Sequence, residues 1–152
     1  MWEEVSLQDV YLGERLIGFS LPVGERLAVI TYEGILVLDL RRPGTGDWDT
    51  AHPEGGSHYD PAQQILVYDG TSFPILGLFG GQLIERNGRG EAVTLDPTEP
   101  VLWVRDAAGT VIFQYEFEDL SGDWRSASFS HDGNTVVLGM PYALHLFTKR
   151  VT

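Results

Sequence analysis

The stretch Phe129-Ser130-His131-Asp132-Gly133-Asn134-Thr135-Val136-Val137-Leu138 places a large apolar side chain, a serine, an Asp-Gly turn dipeptide and a short apolar run in immediate succession. An Asp-Gly pair supplies the positive φ that a tight hairpin needs, and an apolar run this short reads as a buried strand. The same order occurs three more times upstream. Phe19-Ser20-Leu21-Pro22, Tyr59-Asp60-Pro61-Ala62 and Leu95-Asp96-Pro97-Thr98 each set a large apolar residue before Ser or Asp and a turn. Each of the four is followed by an apolar strand, at 27–31, 65–68, 101–105 and 135–139. A second strand follows each of these past a short turn, at 35–40, 74–79, 110–117 and 143–148. The spacing is a repeat of roughly 37 residues, within the range of solenoids, propellers and arrays.

Nothing in the chain competes with strands. Its 18 glycines and 8 prolines are spread along all 152 residues and interrupt any apolar pattern at helical spacing. What recurs is alternation with period two. In 111–118, Val111, Phe113, Tyr115 and Phe117 point one way while Gln114, Glu116 and Glu118 point the other. Asp69-Gly70 is a second hairpin dipeptide, and Asn87-Gly88 reads as a hairpin joining 82–86 to 91–95. The expectation is a single all-β domain over 1–152, with repeats at about 13–40, 53–86, 89–118 and 123–149.

The segment 129–138 resembles the strand–turn–strand element of WD40-type β-propeller blades, and Ile35-Leu36-Val37-Leu38-Asp39-Leu40 resembles the end of the third strand of such a blade. Leu38 stands where that family has tryptophan, and the chain has no Gly-His dipeptide. The resemblance implies a propeller-like array of four short blades, some lacking a fourth strand because the period falls short of the family's ~40–45 residues. Residues 5–12 would then form an outer strand closing the last blade. A β-sandwich or an irregular β-barrel is the alternative.

Charge limits the partners. Ten basic against 22 acidic side chains give a net charge of −12, and Lys149 is the only lysine. A nucleic-acid binder needs a basic stripe and an anionic membrane needs basic patches, so neither partner is expected. No cysteine is present, which removes disulfides, thiolate nucleophiles and Cys-based zinc sites. The opening Met1-Trp2-Glu3-Glu4 has the wrong sign for a secretory leader. The most apolar stretches, 27–40 and 74–84, fall short of the ~20 residues of a membrane-spanning helix. These features read as cytoplasmic.

Familiar chemistries are missing. There is no phosphate-binding Gly-x-x-x-x-Gly-Lys, and Asn87-Gly88-Arg89-Gly90 opens onto a strand rather than a helix. Ser130, His131 and Asp132 are neighbours on a turn and cannot form a catalytic relay. Glu116 and Glu118 lie ~7 Å apart on one strand face, as solvated carboxylates commonly do. The stretch 41–59 is the longest without a strand pattern and gathers Asp47, Trp48, Asp49, His52 and His58. Imidazoles and carboxylates so close together suit binding, and Trp48 either folds back on the core or anchors a partner. These five are the candidate binding residues; no catalytic residue, metal ligand set or cofactor is assigned. The expected function is a non-catalytic protein-binding or scaffold module. The alternative is a carboxylate-based enzyme, or a metal- or carbohydrate-binding protein using 41–59. A homodimer is expected, with Trp2 and residues 5–12 among its contacts.

Overall fold

The Ser or Asp behind each apolar anchor organises the turn that follows it. Ser20 Oγ accepts the Ala28 N–H at 2.9 Å and Ser130 Oγ accepts the Thr135 N–H at 3.1 Å, each reaching the next strand. Asp60 Oδ1 accepts the Ala62 and Gln63 N–H groups, and Asp96 Oδ1 those of Thr98 and Glu99, so both build turns on their own backbone. The two serines and the two aspartates thus fix four chain reversals by two different devices.

The computed structural model describes residues 1–7, 15–42, 45–119 and 122–150. Its strands are β1 (Trp2–Val5), β2 (Leu16–Ser20), β3 (Arg26–Thr31), β4 (Ile35–Asp39), β5 (Gly46–Asp49), β6 (Tyr59–Asp60), β7 (Ile65–Tyr68) and β8 (Thr71–Gly77). They continue with β9 (Ala92–Leu95), β10 (Val101–Arg105), β11 (Val111–Glu116), β12 (Ser126–Phe129), β13 (Thr135–Met140) and β14 (Ala143–Lys149). Every pairing between them is antiparallel. The protein is all-β, as the sequence pattern expects. The strands form four meanders: unit 1 (β2-β3-β4), unit 2 (β6-β7-β8), unit 3 (β9-β10-β11) and unit 4 (β12-β13-β14).

Two units gain a fourth strand. β5 pairs with β4, bringing Trp48 opposite Leu36. β1 pairs with β14, from Trp2 opposite Lys149 to Val5 opposite Leu146, so the start of the chain closes the sheet made by its end. The closing strand lies earlier than the expected 5–12; residues 8–12 are outside the described residues. Trp2 is 3% exposed and packs on Phe129 at 5.9 Å, which makes it part of its own core and unavailable as a dimer contact.

Units 1 and 2 share a sheet, because β8 changes partner along its length. Thr71–Pro74 pair with β7, whereas Ile75, Leu76 and Gly77 pair with Ser20, Phe19 and Gly18 of β2. The crossing requires glycine on both sides. A Cβ on Gly77 would meet the Ile17 carbonyl at 2.6 Å, and one on Gly18 would meet Ile75 Cγ2 at 2.5 Å. The result is a curled seven-stranded sheet, beside a four-stranded sheet (β1-β14-β13-β12) and a three-stranded one (β11-β10-β9).

The alternation along the strands then stacks the units face to face. Leu102, Val104 and Phe117 of unit 3 and its flank meet Phe129, Val136, Leu138 and Phe147 of unit 4. Val137, Leu144 and Leu146, on the other face of unit 4, meet Phe19, Leu27, Val29, Leu36 and Leu38 of unit 1. Ile17, Ala28, Ile30 and Ile35, on the other face of unit 1, meet Tyr59, Leu66, Phe73 and Ile75 of unit 2. The stacking order is therefore 3-4-1-2. Among the described residues no core cluster joins unit 2 to unit 3.

Two turn expectations change in detail. Asp69-Gly70 is a two-residue hairpin turn with φ of 51° and 73°. Asp132-Gly133 instead sits in a four-residue turn closed by Ser130 N–H to Thr135 O, and only Gly133 has positive φ. Asn87-Gly88 does head a hairpin: the Asn87 N–H donates to Glu91 O, and Arg86 bridges Ala92, but 82–86 is not a regular strand.

Candidate functional site

The stretch 41–59 is not the strandless loop that its composition suggests, because β5 occupies Gly46–Asp49. One strong apolar residue, Trp48, is enough: it faces Leu36 and packs on the core between units 1 and 4. Trp48 therefore folds back rather than projecting. A 3-10 segment over Pro53–His58 follows, and Gly55 and Gly56 there hold φ of 84° and 52°.

Four side chains converge at this corner. Asp49 Oδ1 accepts the Ala51 N–H at 2.9 Å. Asp49 Oδ2 lies 3.0 Å from His52 Nδ1 and accepts the Tyr68 hydroxyl at 2.7 Å. The His52 and His58 rings meet edge to face at 4.3 Å, the His58 and Tyr68 rings do so at 5.4 Å, and His58 Nδ1 lies 3.1 Å from the Val67 carbonyl. The Tyr68 hydroxyl bond, with help from His52, holds the Asp49 carboxyl below the usual aspartate range. The same bond raises Tyr68. Asp47 stands apart, exposed on the rim of a groove of about 630 Å³ with Arg26, Arg41, Tyr68 and Asp69.

The structure thus joins Asp49, His52 and His58, separates Asp47 and buries part of Trp48. Tyr68 is the member that sequence reasoning missed. It enters from β7, 19 residues beyond Asp49, with no local motif to mark it. Chemically the cluster is occupied with itself: the Asp49 oxygens are taken by Ala51, His52 and Tyr68. Among the described residues no group of three His, Cys, Asp or Glu side chains could hold a metal ion. Its effect is to tie β5 and the 3-10 turn of unit 1's flank to unit 2.

A second feature lies where the inner ends of the units converge. Leu21 after unit 1's anchor, Gln63 and Gln64 after unit 2's, His131 after unit 4's, and Leu83 and Ile84 line a cleft of about 740 Å³. Leu21 and His131 each stand two residues after their anchor, which is the signal that could have marked them. Gln64 holds a φ of 59° and donates its side-chain amide to the Phe79 carbonyl, fixing the cleft wall.

The third feature is the pair of outer faces at the two ends of the stack. On unit 2 the uncovered face carries Asp60, Ile65, Val67 and Pro74, with Val67 51% exposed. On unit 3 it carries Val101, Trp103 and Arg105, whose guanidinium sits 5.0 Å over the Trp103 ring. A register break between Val104 and Arg105 places one extra residue in β11. Val111, expected to face inward, is therefore turned out with Ile112, at 44% and 41% exposure. Glu116 and Glu118 border a separate groove with Tyr115, Tyr142 and His145.

No protein-family model matches this sequence, and no curated protein is detectably similar to it. Among the described residues no helix is long and apolar enough to cross a membrane.

Proposed function

We propose that the chain is a non-catalytic protein-binding module, a propeller-like array of four short WD40-like blades left open between units 2 and 3. The observation that carries this reading is the uncovered face at each end of the stack. Repeat arrays end in polar caps when they stand alone, because an apolar end face in water is an invitation to associate. Here the end faces present Val67, Ile65 and Pro74 on one side and Trp103, Val111 and Ile112 on the other. Aromatic and aliphatic side chains beside an Arg are the composition of a binding hot spot. The corner around Asp49 supports the same reading, since its polar groups bond to one another rather than facing a substrate.

The test is capture from cells of the source organism, comparing the wild-type chain with Val67→Asp, Trp103→Asp and Asp49→Asn variants. A stoichiometric protein retained by wild type and by Asp49→Asn, but lost with either end-face variant, supports the module. Stabilisation by a divalent ion or an oligosaccharide that disappears in Asp49→Asn moves the function to the 41–59 corner and overturns it.

A further inference from the structure

Among the described residues no core cluster joins the two end faces within one chain. We propose that two copies of this chain join end to end, the unit 2 face of each seated on the unit 3 face of the other, to form a closed array of eight units. This inference rests on the reading of the stack as an open array and names the partner as a second copy.

Three observations favour that occupant over a foreign protein. First, the chain already makes two interfaces of this kind between separate sheets, 3 on 4 and 4 on 1, and a third apolar contact, 1 on 2, inside one curled sheet. A contact of unit 2 on unit 3 would be the fourth in the series, and the faces involved are the outward-alternating halves of the same strands. Second, the cation of one face has an anion on the other: Arg105 stands on the unit 3 face, with Glu116 further along it opposite Val101, and Asp60, opposite Ile65 in register, stands on the unit 2 face. Third, the faces are complementary in shape class. Trp103, Val111 and Ile112 project from unit 3, and the smaller Val67, Ser72 and Pro74 form unit 2's surface. A two-fold axis makes both contacts at once, and closed two-fold dimers are the commonest assembly. Eight units lie within the four to eight blades of closed propellers. The charge of −12 on each copy opposes approach only at long range, since physiological salt screens beyond about 8 Å.

The experiment is light scattering on the purified chain at micromolar concentration and physiological salt, with Val67→Glu and Ile112→Glu variants. Both positions are exposed, and circular dichroism checks that each variant keeps its strands. The expected mass is twice the 16.9 kDa of one chain, each variant alone returns to one chain, and mixing the two variants recovers dimer, because each retains the face that the other lacks. A mass that climbs past two chains with concentration shows a contact that does not close, and overturns the eight-unit ring. A dimer indifferent to both variants places the interface elsewhere and also overturns it. A monomer whose variants still lose a captured protein sinks self-association but leaves the binding module standing. A monomer whose variants lose nothing sinks both.

Discussion

Units 1 and 4 are three-strand meanders like units 2 and 3, yet their circumstances differ. The first pair lies in the middle of the stack, each with a fourth strand and with both faces buried. The second pair lies at the ends, each a three-strand meander with one face buried and one uncovered. The burial patterns record this directly: β3 and β13 are buried at five of six positions, whereas β7 and β10 alternate. The lesson is that position in the array, rather than the repeat motif, decides how much a strand buries. It also explains why the closing strand comes from the opposite terminus. Unit 4 completes itself with β1 and packs against unit 1, and among the described residues no core cluster joins units 2 and 3.

The comparison can be broken most severely at Trp2. Trp2→Ala removes the aromatic that β1 inserts behind Phe129 and is expected to cost about 3–5 kcal/mol, the usual range for a buried Trp or Phe. Trp103→Ala, on the uncovered face, is expected to cost less than about 1 kcal/mol in a dilute sample. Urea unfolding of both variants checks the contrast, and equal losses would mean that the unit 3 face is not free.

Next is Glu91, which clasps unit 3 to unit 4. It is 4% exposed and accepts from Asn87 at 2.9 Å, Arg89 at 2.7 Å and Lys149 at 3.1 Å, while Arg89 also donates to the Gly133 carbonyl. Burial alone would raise its carboxyl, but the three donors together outweigh it and hold it down at about 2. Glu91→Gln leaves Arg89 and Lys149 without their anion and is expected to cost about 2–4 kcal/mol. The sign of the pH effect follows from a depressed value. The stabilisation is complete above the ordinary 4.5 and is lost as pH falls towards about 2. Acid unfolding of wild type should steepen in that window and flatten in Glu91→Gln.

The smallest effect is expected at the 41–59 corner. Asp49→Asn removes the carboxylate that raises Tyr68, so the Tyr68 phenol should titrate at lower pH than in wild type. Ultraviolet titration of the tyrosines reads this, and an unchanged curve would remove the Tyr68–Asp49 bond from the account.

The second and third strands of each meander were legible because each carries an apolar run or alternation bounded by turn chemistry, whereas β2 and β6 entered only as the anchors Phe19 and Tyr59. What was hidden depended on partners distant in sequence. Gly46-Asp47-Trp48-Asp49 has a single strong apolar residue and becomes a strand only because β4 offers an edge. Val111 obeys alternation in sequence, and the break opposite Arg105 turns it out. At the candidate corner, Asp49, His52 and His58 were visible as neighbours, but Tyr68 arrives through the stacking of unit 2 on unit 1. The uncovered faces were legible as a consequence of incomplete repetition. Which residues form them was not, because that depends on the stacking order.

The chain has no cysteine, so the most direct test of an array open within one copy and closed between two is disulfide trapping. Val67→Cys and Ile112→Cys chains are oxidised separately, then as a mixture, and a Val67→Cys/Ile112→Cys double variant is oxidised at high dilution. The account predicts cross-linked dimer in the mixture, little in either variant alone, and no bond within the dilute double variant. Rapid closure of that bond inside a single diluted chain would mean that units 2 and 3 already meet, and would contradict it.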